Sequence, residues 1–479
     1  MDDPVTWLAL YGRRADDDSP AVVGESEHLT SRELTRLAAG AADWLDSIGV
    51  PPARPVAALV STTVEAFALA VAGAATHRPL APLGPRLTAT ELRAALLPLA
   101  PSVVVAEPGA ADLAREAAGA LGIRVEVHPE LQPSGRPLSY EADPLEPAAI
   151  LHTSGTSGQP KPVPYPHGRL ALRARVNAGL LGLGPGSIYA TASPFHHIAG
   201  LGMLFVALGS GAALCPLPRF TVDSWAEVIG RGTTHALLVP SMVEQLLDQD
   251  RLVRGDLRCL QYGASRIDPG TLRRLLAALP DVDLVQIYGQ TEGSPITALT
   301  LDDHRRAAAG DDRLLASAGR AAPGVELIIH APDAGGVGEV WARAAHLMKP
   351  DPDGWLRTGD LGRLDAEGYL TLSGRTGDMI IRGGENVYPA EVEDVVRALP
   401  GVADVAVVGL PDQRLGQLVA AFVVPADRDA PLDPDELRAA TRHVLAGFKV
   451  PERWEFLDEL PRNATGKVLK RALAPTEPA

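Results

Sequence analysis

The sequence predicts an α/β protein: a large N-terminal domain of stacked, mostly parallel sheets with a small β subdomain, then a small α+β C-terminal domain. Three observations carry this. From Thr30 to Ala213 amphipathic helical stretches alternate with short apolar runs, the rhythm of βαβ units with buried parallel strands. After about Val325 short strands separated by Gly and Asp take over (VELII, GEVWARA, GYLTLSGR). From about residue 377 strands and helices alternate in a compact α+β pattern, so the domains are expected at 1–376 and 377–479. A chain of 479 residues is in any case too long for one ordinary core.

Thr30-Ser31-Arg32-Glu33 is a capping box opening a helix that runs toward Ile48, where Gly49 stops it. Apolar patterning then predicts a strand at 56–60, helices at 64–75 and 91–97, a strand at 103–106, a helix at 112–121 and a strand at 123–127. The Pro-rich stretch 132–147 predicts a surface connection. A strand at 150–152 and a helix after His167 follow, then strands at 235–239, 257–261 and 284–288. In the C-terminal part strands are expected at 379–382, 405–408 and 418–424, with helices at 389–399 and 434–445.

The composition excludes several classes. Apolar residues make up 46 % of the chain, too many for a disordered protein. A net charge of −15 argues against a nucleic-acid surface, though it leaves room for a small basic pocket. Cys215 and Cys259 lie in no CxxC pair or Cys/His cluster and read as ordinary thiols of a reducing, cytoplasmic compartment. The acidic N-terminus lacks the apolar core of a signal peptide. The most apolar stretch, 66–75, is too short to span a membrane.

The candidate chemistry starts at HTSGTSGQPKPV (152–163), between a predicted strand and a helix. Gly155 and Gly158 allow a tight turn that brings backbone N–H groups to an anion; Thr153, Ser154, Thr156 and Ser157 add hydroxyls, and Lys161 a charge. This is not the GxxxxGK[ST] phosphate loop, because Lys161 sits between prolines. On its Thr/Ser/Gly richness alone a flexible surface linker would be the preferred reading, and the Pro160-Lys161 ending weighs against it.

Four further segments decide between those readings. Together with YGQTE (288–292), WLRTGD (355–360), GRTGDMIIRGGENVYPAEVE (374–393) and PRNATGKVLK (461–470), the loop resembles, in order, the signatures of the acyl-adenylate-forming superfamily of acyl-CoA synthetases, adenylation enzymes and luciferases. The resemblance spans nearly the whole chain. It implies ATP-dependent activation of a small-molecule carboxylic acid to an acyl-adenylate, with Mg²⁺ as the metal cofactor. Transfer to CoA, or to the phosphopantetheine of a carrier protein acting in trans, would follow. Passing an activated oxyacid to an amine, and a non-catalytic nucleotide-binding relative, are the alternatives.

The same resemblance implies roles for residues. Lys467 bridges the carboxylate and the α-phosphate, Glu292 holds Mg²⁺, and Thr291 donates to the α-phosphate. Tyr288, with Gly289 and Gln290, faces the adenine, although a core tyrosine at a strand end would look alike. Gly263, Ala264 and Ser265 place backbone against the adenine. Asp360 accepts from the ribose hydroxyls and Arg375 reinforces that contact. In PFHHIAG (194–200) the gate to the carboxylate falls on His197, with His196 beside it, and the alternative is a satisfied structural histidine. Pro240-Ser241-Met242 would line the same pocket. The C-terminal domain is implied to be mobile, swinging near Arg375 to present first Lys467 and then Gly383, Gly384 and Glu385 to the thiol. Two departures stand out: Gly377 occupies a hinge position commonly held by Asp or Lys, and the stretch 339–355 is short. Neither a membrane span nor a nucleic-acid partner is expected, and a homodimer is only the default oligomer.

Overall fold

The computed structural model describes residues 5–25, 27–85, 87–153, 160–348, 350–382, 385–427, 432–462 and 468–473. The chain divides into two compact units, one of residues 1–327 and 342–356, the other of 328–341 and 357–479.

In chain order the strands of the first unit are β1 (Pro20–Val23), β2 (His28–Thr30), β3 (Val56–Leu59), β4 (Leu80–Pro82), β5 (Val103–Ala106), β6 (Arg124–Val127), β7 (Pro147–Thr153), β8 (Lys161–Pro166), β9 (Ile188–Thr191), β10 (Ala213–Pro216), β11 (His235–Leu238), β12 (Cys259–Gly263), β13 (Asp283–Gln290), β14 (Gly293–Leu299) and β15 (Arg320–Ala321). They form a sheet in the order β15-β14-β13-β12-β11-β9-β10-β1-β2 and another in the order β6-β5-β3-β4-β7-β8. The central strands of both are parallel. Several, such as Val56–Leu59 and Val103–Ala106, are buried at every position, as parallel strands covered on both faces must be.

The helix Val64–Ala75 explains the most apolar stretch of the sequence. Eleven of its twelve residues are buried, so it is apolar all round because it lies inside the core. Among the described residues no helix is long and apolar enough to cross a membrane. The helix Ser31–Ser47 begins at the expected box: Thr30 Oγ1 accepts from the Glu33 N–H, and Glu33 Oε2 accepts from the Thr30 N–H at 2.8 Å. The stretch after β6 carries no regular structure, as a connection should. It is nonetheless tied inward, for Leu131 and Leu138 are buried, and a Cβ on Gly40 would stand 1.7 Å from the Gln132 carbonyl oxygen.

One element differs from the expectation. Between the Ser/Gly loop and the helix His167–Leu181 lies β8, antiparallel to β7. Its sequence KPVPYP looks hostile to a strand, yet Pro162 and Pro164 occupy alternate positions. Successive residues of a strand point their N–H groups to opposite sides and alternate ones to the same side, so both prolines fall on the outer side of an edge strand, where no donor is needed.

In the second unit and its boundary run β16 (Glu326–His330), β17 (Gly338–Arg343), β18 (Leu356–Leu364) and β19 (Leu370–Arg375), a sheet in chain order. A further sheet comprises β20 (Ile380–Arg382), β21 (Glu385–Val387), β22 (Val402–Asp412), β23 (Gly416–Pro425) and β24 (Arg453–Phe456), with β24 parallel to β23. The long β22–β23 pair shows the period of two plainly. Val405, Val407, Val419, Ala421 and Val423 pack with Val392 and Val396 of the helix Pro389–Arg397. Ala406, Val408, Leu410, Ala420 and Phe422 face the other way, toward Leu460, Val468 and Leu473. The C-terminal segment is thus laid on the second face of this sheet.

Candidate active site

In the large sheet, the step from β9 to β10 goes one way and the step from β10 to β11 returns to the other side of β9. The gap between β9 and β11 is therefore the point where the winding reverses, and open parallel sheets bind ligands beyond the carboxyl ends of strands at such a point. The sequence motifs sit along that carboxyl edge, two of them at the reversal itself. Pro194–Gly200 follows β9, Pro240-Ser241-Met242 follows β11, Gly263-Ala264-Ser265 closes β12 and Tyr288–Gln290 closes β13.

The backbone at these ends is specialised. A Cβ on Gly263 would stand 2.6 Å from the Ile287 carbonyl oxygen of the neighbouring strand. Ala264 next to it adopts a left-handed conformation, φ +67°, uncommon for a residue with a side chain and typical of functional turns. The His196 and His197 rings lie 4.2 Å apart, and His196 packs over Gly84, whose absent Cβ would lie 3.0 Å from its Nε2. Burial pushes His197 down to about 4, so its imidazole is neutral at pH 7. His152, at the base of the Ser/Gly loop, is likewise held at about 4 by burial.

Thr291 and Glu292 are the two tip residues of the β13–β14 hairpin, since Gln290 pairs with Gly293. Both backbone carbonyls of that tip are fixed. The hydroxyl of buried Tyr165 on β8 donates to the Thr291 carbonyl at 2.6 Å, and the Met348 N–H donates to the Glu292 carbonyl at 2.8 Å. The first bond joins the hairpin that carries Thr153 and Lys161, which are directly opposed across β7 and β8, to the hairpin that carries Glu292. Tyr165 is a residue the motifs did not point to. Residues 154–159 of the Ser/Gly loop lie outside the described residues. The short stretch 339–355 still engages this hairpin: besides Met348, His346 Nε2 lies 2.8 Å from the Pro295 carbonyl oxygen, and Arg169 donates to the Leu347 carbonyl.

Asp360 and Arg375 are directly opposed on β18 and β19, and Arg375 Nε donates to Asp360 Oδ1 at 2.8 Å. The turn before Asp360 needs Gly359, which has φ +69°, and its N–H donates to Glu339 Oε1 at 3.1 Å. Thr358 Oγ1 accepts from the Asp360 N–H at 3.0 Å and donates to the Val340 carbonyl at 2.7 Å. Glu339 also escaped notice in the sequence. Gly377 lies in an uncrowded place, with no atom within 4 Å of where a Cβ would stand, so local packing does not account for its being glycine.

Lys467, Gly383 and Gly384 lie outside the described residues, but their flanks do not. Glu385 pairs with Arg382 across β20 and β21. Arg462 and Val468 form an isolated bridge, and the Leu469 N–H donates to the Pro461 carbonyl at 2.7 Å. Lys470 Nζ lies 2.6 Å from Glu393 Oε1, and Arg462 pairs with Asp404.

Comparison with known proteins settles the kinship. The AMP-binding enzyme family matches residues 12–350, and the C-terminal domain of AMP-binding enzymes matches residues 391–467. The chain belongs to the AMP-binding enzyme family. It is 35% identical to the indoleacetate–CoA ligase of Aromatoleum aromaticum, over 92% of either chain. It is 33% identical to the fatty acid–[acyl-carrier-protein] ligase ScoC of Streptomyces coeruleorubidus, over 95% of this chain and 93% of that one. The structure of amide bond synthetase McbA from Marinactinospora thermotolerans superposes with a TM-score of 0.86 at 32% identity, covering 98% of this chain and 99% of the other. An AMP-binding enzyme with two α/β sheets in its larger unit and an antiparallel-rich smaller one is the architecture the sequence predicted.

Among the described residues no three His, Cys, Asp or Glu gather as a metal cluster. The Glu292 carboxylate stands at a hairpin tip whose backbone is held from both sides, with no hydrogen-bonding or ion-pair partner for the carboxylate itself among the described residues. A single available carboxylate suits Mg²⁺, which keeps most of its waters and takes the rest of its shell from substrate phosphates.

Proposed function

We propose that this protein joins a carboxylic acid to the α-phosphate of ATP, releasing pyrophosphate, and then passes the acyl group to the thiol of CoA, releasing AMP. The observation that carries this reading is the Tyr165 hydroxyl binding the Thr291 carbonyl at 2.6 Å. It ties the strand that carries Lys161 to a hairpin tip with an available carboxylate, at the carboxyl end of β13.

The roles follow from the groups. Thr153, Lys161 and the loop between them grip the β- and γ-phosphates, the part that leaves. Glu292 would hold Mg²⁺, which when bound supplies a hard dication that offsets phosphate charge. Thr291 donates a hydroxyl to the α-phosphate. Gly263, Ala264, Ser265, Tyr288, Gly289 and Gln290 border the adenine, and Asp360, oriented by Arg375, accepts from the ribose. Neutral His197 borders the acid, where an uncharged ring neither traps the carboxylate as an ion pair nor repels it. Two anions must meet for the bond to form, so a cation between them lowers the barrier; Lys467 is that cation. The thiol half-reaction belongs to Gly383, Gly384 and Glu385, and the functional division to residues 1–376 and 377–479.

Pyrophosphate exchange into ATP, screened over aliphatic, aryl and dicarboxylic acids, tests the reading. At least one acid should drive exchange, and Lys467→Ala should slow it by at least about a hundredfold. Full-rate exchange by Lys467→Ala would remove Lys467 from its role. Adding CoA or a phosphopantetheinylated carrier in separate arms identifies the acceptor by AMP release.

A further inference from the structure

Glu339 and Trp341 lie two apart on β17 and so share a face of its sheet. The Glu339 carboxylate is divided between two donors. Its Oε1 accepts from the Gly359 N–H at 3.1 Å and its Oε2 from the Trp341 indole N–H at 2.9 Å. The indole is itself held in place. The His330 ring stacks on it with centroids 3.7 Å apart, and the Arg357 guanidinium carbon lies 4.5 Å from the ring centre. The carboxylate therefore cannot swing away from Gly359 without giving up the indole.

What it holds is one side of the turn that carries Asp360. Gly359 has φ +69°, and the peptide groups on both sides of it are tied to side chains. Glu339 takes the N–H. The Gly359 carbonyl accepts from the Thr376 N–H at 2.8 Å and from the Thr376 hydroxyl at 2.7 Å. The next N–H, that of Asp360, donates to Thr358 Oγ1 at 3.0 Å. With both peptide groups fixed, the direction in which the Asp360 side chain leaves the backbone is fixed too, and Arg375 Nε then holds its carboxylate at 2.8 Å. Water could satisfy an N–H at such a turn. A carboxylate clamped from its far side also sets the direction of the bond, and a charged acceptor makes it strong.

We propose that Glu339 is a positioning residue for the sugar of the nucleotide: through Gly359 it aims the Asp360 carboxylate at the ribose hydroxyls, so discrimination between ATP and 2′-deoxy-ATP depends on it. The inference rests on the ribose role of Asp360 stated above. A carboxylate that accepts from two neighbouring hydroxyls must face both at once, and hydrogen bonds weaken steeply with misalignment. A turn left to rock would bind ribose and deoxyribose about equally, because the bond to the second hydroxyl would be worth little to begin with.

The test compares kcat/KM for pyrophosphate exchange with ATP and with 2′-deoxy-ATP, using whichever acid drives exchange. Wild-type protein should favour ATP by about tenfold to a hundredfold, the loss expected for a hydroxyl bonded to a charged acceptor. Asp360→Ala should bring the ratio close to one, and Glu339→Ala should bring it near that floor. Glu339→Gln keeps an oxygen for the Gly359 N–H and should retain most of the wild-type ratio. Adding Glu339→Ala to Asp360→Ala should lower the ratio no further. Where Glu339→Ala folds poorly, Trp341→Phe is the second probe: it keeps a ring against His330, removes the indole donor and should lower the ratio by a few-fold. A merely structural role for Glu339 would lower the melting temperature, or slow both nucleotides equally, and leave the ratio alone. An unchanged ratio in folded Glu339→Ala, or in Trp341→Phe where that is the variant that folds, would overturn the proposal while acid activation stands. A wild-type ratio near one, or an unchanged ratio in Asp360→Ala, would instead remove Asp360 from the ribose, and this inference with it. Absence of exchange with every acid would overturn the activation reading itself.

Discussion

The two units hold their candidate residues by different physical means. In the first, the supports are buried or part-buried hydrogen bonds to backbone: Tyr165 to Thr291, Met348 to Glu292, His346 at Pro295. In the second, ion pairs join the hydrogen bonds: Arg375, 44 % exposed, pairs with Asp360, and Lys470, 23 % exposed, pairs with Glu393. Buried neutral bonds are little screened by salt and costly to break, whereas exposed pairs are weak and screened. The comparison therefore separates supports that salt barely reaches from supports that it screens. It also says that acid should trouble the first unit and salt the second.

The largest effect expected is on stability in acid. His152, His167, His197 and His304, all in the first unit, are held near 4 by burial. Above pH 6.5 they are neutral whether the chain is folded or not, and contribute nothing to the pH dependence. Between about 6.5 and 4 the unfolded chain takes up protons that the folded one refuses, so stability falls as pH falls, by up to about 1.4 kcal/mol per pH unit for each fully buried ring. His167 is the cleanest case, being fully buried with neither ring nitrogen bonded. His167→Leu should narrow the drop in melting temperature between pH 7.5 and pH 5, because the variant has no proton to take up there. An unchanged drop would mean that His167 is protonated in the fold.

Tyr165→Phe comes next. It leaves the Thr291 carbonyl without its donor while keeping the ring packed, a loss of about 1–3 kcal/mol. Exchange kcat should fall about tenfold, by the same factor at low and high salt. A lower melting point with unchanged kcat well below it would reduce Tyr165 to a structural role.

How much of this was legible follows from where the information lies. Parallel strands and the helices between them were readable because burial on both faces writes itself as continuous apolar runs, as at Val103–Ala106. The β8 strand was not, because its prolines signal a break, and only its edge position makes them harmless. The site motifs were recognisable, but their supports were not. Tyr165 acts through a residue 126 positions away, a distance no local pattern encodes. Buried Arg173, whose Nε donates to the Ser294 carbonyl, did leave a trace, a charge on the buried stripe 170, 174, 177 and 181, which a periodicity count catches once the helix is placed. Glu339 reads as one more surface acid until its strand is paired with the turn at Gly359.

The smallest effect expected is at Lys470, and it bears most directly on the comparison. Residues 463–467 are bounded by the Arg462–Val468 bridge and by two ion pairs, Arg462 with Asp404 and Lys470 with Glu393. Glu393 is the more enclosed partner, at 14 % exposure, and its Oε1 also accepts from the Val407 N–H at 2.8 Å. Glu393→Gln keeps an oxygen for Val407 and removes only the charge, whereas Lys470→Met removes the charge from the other side. If the pair supports the segment that carries Lys467, both variants should slow exchange by the same factor, about two- to threefold, corresponding to the 0.2–1 kcal/mol or so typical of such pairs. Raising salt to about 0.5 M shrinks the Debye length to a few ångströms, so wild type should fall toward the variants and the difference should close. Tyr165→Phe measured alongside should keep its tenfold deficit. A salt-independent loss at Lys470 would mean that its support is packing rather than charge, and the contrast between the two units would then lie in exposure alone.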